Sequence, residues 1–98
     1  MVSKDSVMEA LKRVIDPELG INIVDLGLIY GVDIKDNKVE VRMTMTVPGC
    51  PLASMMVMGV EREIRNLKGV EDVKIKLVFD PPWTPQRMSE DLRKRFGV

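Results

Sequence analysis

One sulfur in this chain is suited to act as a nucleophile or a thiolate ligand, and its setting is specific. Cys50 is the only cysteine in 98 residues, and it stands in the run Pro48-Gly49-Cys50-Pro51. An alternating strand pattern over residues 39–47 runs into it, and a long helical pattern opens at Pro51. Proline suits the first helical position, because its fixed φ fits and its missing N–H would be an orphan there. Cys50 is therefore expected at or next to a helix N-cap, where unsatisfied N–H groups and the positive dipole end favour an anion. A thiol so placed should ionise more readily and offer its thiolate for chemistry. Gly49 lets other groups approach the backbone closely. The bland alternative is a small buried hydrophobe, which is what many free cysteines are.

Three carboxylates, Asp16, Glu18 and Asp25, fall within ten residues of one another. Each has an ordinary explanation in turn chemistry or solvation. Together, on a connection leading to the sheet that carries Cys50, they offer hard oxygen ligands or a proton acceptor. Thr44 and Thr46 occupy the non-core face of the strand before Cys50. Plain β-propensity accounts for them, and they are also candidate hydroxyl donors lining the same pocket. Eight methionines are present. Gap-filling or a pliable partner surface explains them better than thioether ligation of copper. Trp83 reads as an anchor closing the last helix onto the domain.

Composition removes several functions. Fifteen basic and fifteen acidic residues cancel, and only four aromatic residues are present. No basic stripe with interleaved aromatics marks a nucleic-acid surface. Apolar runs are too short for a membrane span, and the polar start, Met1-Val2-Ser3-Lys4-Asp5, is not expected to be a secretory signal. Histidine is absent, which excludes Ser-His-Asp and Cys-His catalysis as usually assembled, and imidazole-based zinc sites. A lone cysteine makes no internal disulfide, so a reducing, cytoplasmic setting is expected.

The elements that must position these groups follow from periodicity. Residues 5–15 place Val7, Met8, Leu11, Val14 and Ile15 on one helical face, with Ser3 or Asp5 as N-cap, and Asp16-Pro17 stops that helix. Residues 16–27 form an apolar, ordered connection of a length that is often functional. A strand over 28–35 should face Leu28, Tyr30, Val32 and Ile34 one way, and Asp36-Asn37 turns the chain into a second strand, 38–47. There Val39, Val41, Met43, Met45 and Val47 point inward while Glu40, Arg42, Thr44 and Thr46 point outward. A helix over about 51–67 carries the stripe Ala53, Val57, Val60, Ile64 and Leu67, with Gly69 as its cap. Leu52, Met55, Met56 and Met58 widen its apolar arc beyond what one core face needs. A third strand spans 70–79, alternating Val73, Ile75, Leu77 and Phe79 with polar neighbours. Thr84-Pro85 opens a last helix, 85–96, contacting through Met88, Leu92 and Phe96. The order α-β-β-α-β-α, with an antiparallel hairpin and a parallel right-handed crossover, predicts a single α+β domain over residues 1–98. It is a two-layer α/β sandwich: a small mixed sheet with helices on one face.

Asp16-Pro17-Glu18, the run from Asn22 to Tyr30, the run from Thr44 to Pro51, Asp80-Pro81-Pro82-Trp83 and Arg87-Met88-Ser89 together resemble the SufT/PaaD-like family of metal–sulfur cluster biosynthesis proteins. The resemblance covers nearly the whole chain. It implies a fold of the iron–sulfur cluster assembly type and a role in cluster maturation or transfer. It also implies a pocket at Asp16, Glu18, Asp25, Thr44, Thr46 and Cys50. The phenylacetate-pathway branch carries extra C-terminal cysteines that bind metal. This chain ends at Val98 without them, so the stand-alone assembly-factor branch is the better match.

The expectation is a non-enzymatic accessory factor, with Cys50 a transient metal ligand or sulfur-handling thiolate. A stable cluster normally wants about four thiolates. No cofactor should therefore be tightly bound, and any transient iron–sulfur cluster or iron must be shared with a second protomer in a homodimer, a partner protein or a small thiol. The partners implied are iron–sulfur scaffolds or client apo-proteins, contacted through the methionine surface beside Cys50. The rival readings are a thiol enzyme with Cys50 as nucleophile and Asp16 or Glu18 as base, and a pure interaction module.

Overall fold

Alternation of Val39, Val41 and Met43 with Glu40 and Arg42 makes a two-faced strand, and the architecture follows from covering its apolar face. The computed structural model describes residues 2–17, 19–46 and 53–97. Glu18 and Cys50 lie outside the described residues, as do Val47 and Leu52. The elements run α1 (Lys4–Leu11), β1 (Ile29–Lys35), β2 (Lys38–Met43), α2 (Ala53–Arg65), β3 (Asp72–Leu77), a single 3₁₀ turn (Pro85–Arg87) and α3 (Glu90–Phe96). β2 is the central strand of a mixed sheet, antiparallel to β1 and parallel to β3. Val39, Val41 and Met43 are buried with Val7 and Leu11 of α1 and Met56, Val60 and Ile64 of α2 in one core. Each such side chain contributes about 1.5–3 kcal/mol through burial. The α+β reading holds.

Local chemistry explains most boundaries. Ser3 caps α1 by accepting from the Ser6 N–H at 3.1 Å, and Ser6 Oγ accepts in return from the Ser3 N–H at 3.2 Å, a capping box built with two serines. The hairpin turn places Asp36 and Asn37 at φ 52° and 65°, the pair of positive values a type I′ turn requires. Arg65 at the end of α2 pairs with Glu61 at 2.9 Å and reaches Asp72 on β3 at 3.5 Å, tying the crossover helix to the strand it feeds.

Several expectations are corrected. α1 ends at Leu11 rather than running to residue 15, so Ile15 is exposed. β1 carries an irregularity at Tyr30: Ile29 pairs with Met43, yet Gly31 pairs with Arg42. A bulged residue flips the alternation, so Ile29, Val32 and Ile34 pack on the core while Tyr30 is turned to other use. Met56 belongs to the core and not to a surface arc. The helix expected over 85–96 is split, because the Ser89 N–H donates to the Asp25 carbonyl at 2.8 Å and Ser89 Oγ caps a new helix by accepting from the Leu92 N–H at 3.4 Å. Met88 and Leu92 are buried but Phe96 is exposed, so that stripe stops one turn early. Gly69 takes φ +94° beyond the end of α2. β3 spans Asp72–Leu77 rather than 70–79, and it is covered only in part: Leu77 at its end and Phe79 beyond it are exposed.

Candidate functional site

The expected site residues that the structure describes gather at one end of the sheet. β2 delivers Thr44 and Thr46 at its C-terminal end. The connection from α1 delivers Asp16 and Asp25 to the start of β1, which lies at the same end because β1 and β2 are antiparallel. The Thr44 N–H donates to the Leu28 carbonyl at 2.8 Å and the Val78 N–H to the Met43 carbonyl at 2.9 Å, so the ladder continues past the regular strand on both sides. A parallel crossover brings its helix start back to the end of the strand it leaves, which sets the first turns of α2 there too. A cleft of about 250 Å³ lies between α2 and the segment that follows α1, lined by Ile15 and Pro17 on one side and Met55, Met56 and Gly59 on the other.

The connection is ordered by its own polar groups. Ile15 bridges to Asn22, the Asp16 N–H donates to the Ile21 carbonyl at 2.9 Å, and Asp16 Oδ1 accepts from the Leu19 N–H at 3.1 Å. Asp16 is only 5% exposed, and its carboxylate is used for a turn. Asn22 grips Asp25 twice: its Nδ2 donates to Asp25 Oδ2 at 2.8 Å and its Oδ1 accepts from the Asp25 N–H at 2.9 Å. Ile23, Leu26 and Leu28 are fully buried, which anchors the connection to the core. Asn22 is a residue whose role sequence reasoning missed. Its spacing of three from Asp25 is the N-cap signal that could have found it.

Thr44 departs from expectation. Alternation predicts a wet position, but the residue is 0% exposed, and its Oγ1 has no hydrogen-bond partner among the described residues. A buried unpaired hydroxyl costs about 1–3 kcal/mol, and such groups need an explanation. Thr46 is half-buried. Trp83 is the expected anchor, its Nε1 donating to the Leu26 carbonyl at 2.7 Å.

Among the described residues no three Asp, Glu, Cys or His side chains converge to hold a metal ion. The expected site residues that the structure describes carry oxygen donors only, and Cys50 is the only thiol the sequence supplies. No helix among the described residues is long and apolar enough to cross a membrane.

Comparison with known proteins gives consistent results. A family model described as iron–sulfur cluster assembly protein matches residues 4–77. The chain is 42% identical over 96 residues to the Fe-S protein maturation auxiliary factor YitW of Bacillus subtilis, covering 97% of this chain and 94% of that protein. It is 41% identical over 86 residues to the Fe-S protein maturation auxiliary factor SufT of Staphylococcus aureus, covering 87% and 98%. The solved structure of a conserved hypothetical protein from Thermotoga maritima superposes with a TM-score of 0.87 at 53% identity, covering 99% of this chain and 96% of that one.

Proposed function

Since the chain belongs to the iron–sulfur cluster assembly protein family, we propose that it is a non-enzymatic accessory factor for iron–sulfur cluster assembly or target maturation. It handles a cluster, iron or sulfur as cargo at Cys50. Asp16, Glu18, Asp25, Thr44 and Thr46 complete the pocket, and the protein works in the cytoplasm on scaffold or client apo-proteins. The observation that carries this reading is the near full-length match to maturation auxiliary factors combined with a chain that owns a single thiol. Four thiolates hold a typical cluster, so one chain supplies at most a quarter of the set. The remainder comes from a partner, which makes the site one of transfer and not of storage.

Support for the pocket comes from the buried Thr44 hydroxyl and the buried Asp16 carboxylate at the same sheet end. Asp16 is already bonded to the Leu19 N–H, and the Thr44 hydroxyl is the group left to meet cargo or a partner. The adjoining apolar surface, with Met55 64% and Met58 60% exposed, is the proposed contact for that partner.

The test is anaerobic affinity capture with wild type and Cys50→Ala side by side, together with anaerobic reconstitution of each. Wild type should retain a scaffold or client apo-protein and hold no stoichiometric cluster when alone. The variant should fold normally and lose the partner. A full cluster reconstituted on Cys50→Ala would overturn the ligand role.

A further inference from the structure

A second feature is built from the very motifs that the thiol chemistry leaves unused. The outer side of the sheet holds a groove of about 530 Å³ whose polar lining is Tyr30, Arg42, Asp80 and Arg87, with Ile29 and Val78 among its apolar walls. We propose that this groove binds a small oxyanion, a carboxylate or phosphate group, through the guanidinium groups of Arg42 and Arg87.

Both arginines are positioned by features that have no other evident purpose. Arg42 lies over Gly31, where any Cβ would overlap its guanidinium. Arg87 is held with its guanidinium carbon 4.6 Å from the centroid of the Tyr30 ring, a cation–π stack that orients the planar fork. The Tyr30 ring is itself fixed, its hydroxyl donating to the Pro81 carbonyl at 2.8 Å. Gly27 lets the Arg87 backbone sit down against the connection, since a Cβ at Gly27 would overlap the Arg87 carbonyl oxygen. The irregularity at Tyr30 is what turns that ring toward Arg87 and away from the core, and bulges commonly re-aim a side chain beside a site. Two glycines, one bulge and one stack thus converge on two guanidiniums.

The charge count leaves room for one anionic group. Arg87 makes no ion pair with a described residue. Arg42 has Asp33 at 3.8 Å, beyond hydrogen-bond range, in an exposed pair of the kind that contributes little and exchanges readily. Among the described residues, Asp80 is the one carboxylate lining the groove. Two cations facing one anion favour a ligand with a single oxyanion that a bidentate guanidinium can grip, and the apolar walls favour a small organic body attached to it.

The test titrates the ¹⁵N-labelled full chain with citrate and, separately, with inorganic phosphate, following amide shifts. Wild type should show saturable shifts confined to residues around Gly27, Tyr30, Gly31 and Val78. Arg42→Gln and Arg87→Gln should each weaken binding by about tenfold or more. Gly31→Ala, which displaces the Arg42 guanidinium, should weaken it too, and Arg95→Gln on the exposed end of α3 should not. Saturation by citrate alone identifies a carboxylate ligand, and saturation by phosphate alone a phosphate one. Absence of saturable shifts with both anions, or an affinity unchanged in Arg42→Gln, would overturn the proposal. Should Arg87→Gln fail to give a dispersed spectrum, Arg42→Gln on the exposed face carries the test alone.

Discussion

Replacing Thr44 by valine should make the protein more stable and less useful. The side chain is fully buried and its hydroxyl is unpartnered among the described residues. Valine has nearly the same shape and no polar atom to leave unsatisfied. The backbone bond from the Thr44 N–H to Leu28 is untouched by the change. Removing an unpaired buried hydroxyl should recover about 1–3 kcal/mol. For a chain of this size each kcal/mol corresponds to about 4–8 °C in Tm, so thermal unfolding followed by circular dichroism should show a rise of at least about 4 °C. The same variant should lose anaerobic capture of the partner apo-protein if the hydroxyl serves the pocket. Thr44→Ser separates shape from chemistry: it keeps the hydroxyl, loses a methyl at a cost of about 1 kcal/mol, and should retain capture. A fall in Tm for Thr44→Val would show that the hydroxyl is paired in the folded protein, and the reasoning from an orphaned donor would be refuted.

Other changes test the frame around that position. Gly27→Ala should destabilise by more than about 2 kcal/mol in urea unfolding, because a Cβ there would overlap backbone and φ is +78°. Gly20→Ala, at φ +68° with nothing within 4 Å, should cost only about 1 kcal/mol. Trp83→Phe keeps the ring and deletes the bond to the Leu26 carbonyl; a loss of about 1–2 kcal/mol in thermal unfolding is expected. Met55→Glu with Met58→Glu alters two exposed side chains on α2, so stability should stay within about 0.5 kcal/mol per site while pull-down of the partner is abolished.

What was legible in the sequence was whatever depends on neighbours along the chain. Ser3 as cap, Asp36-Asn37 as turn and the inward stripe of β2 are local decisions, and the structure has them. The errors fall where a distant group decides. Tyr30 leaves the strand stripe because the opposing register skips it, which no pattern within β1 announces. The last helix breaks at Ser89 because the Asp25 carbonyl, far back in the chain, takes its N–H. Thr44 illustrates the same limit for the site. Alternation gives the face on which a side chain emerges but says nothing of what covers it. Asp16 and Asp25 were legible as chemical groups, and their grip on local N–H groups was foreseeable. The Arg42 and Arg87 groove was not, since its two halves come from β2 and from the turn before α3.

The distribution of polar groups argues for transfer more strongly than any single residue does. Over most of the molecule, burial follows apolar character, as in Val7, Leu11, Val41, Val60 and Ile64. At the end of the sheet the rule is broken twice, by the carboxylate of Asp16 and the hydroxyl of Thr44, while beside them Ile15, Met55 and Met58 are left in water. The unpartnered Thr44 hydroxyl costs stability in the isolated chain and the exposed apolar groups gain none, whereas the Asp16 carboxylate is already bonded to the Leu19 N–H. Under the proposed function both would be offset by one event, the docking of a second surface that covers the methionines and brings a partner to the Thr44 hydroxyl. If the chain carries a cluster as proposed, one thiol requires such a surface, because the other ligands must arrive with it. Stability withheld at one end of the fold and ligands withheld from the sequence therefore have a common explanation. Under the proposed function the pocket is half of a site whose other half belongs to the protein that gives or receives the cargo.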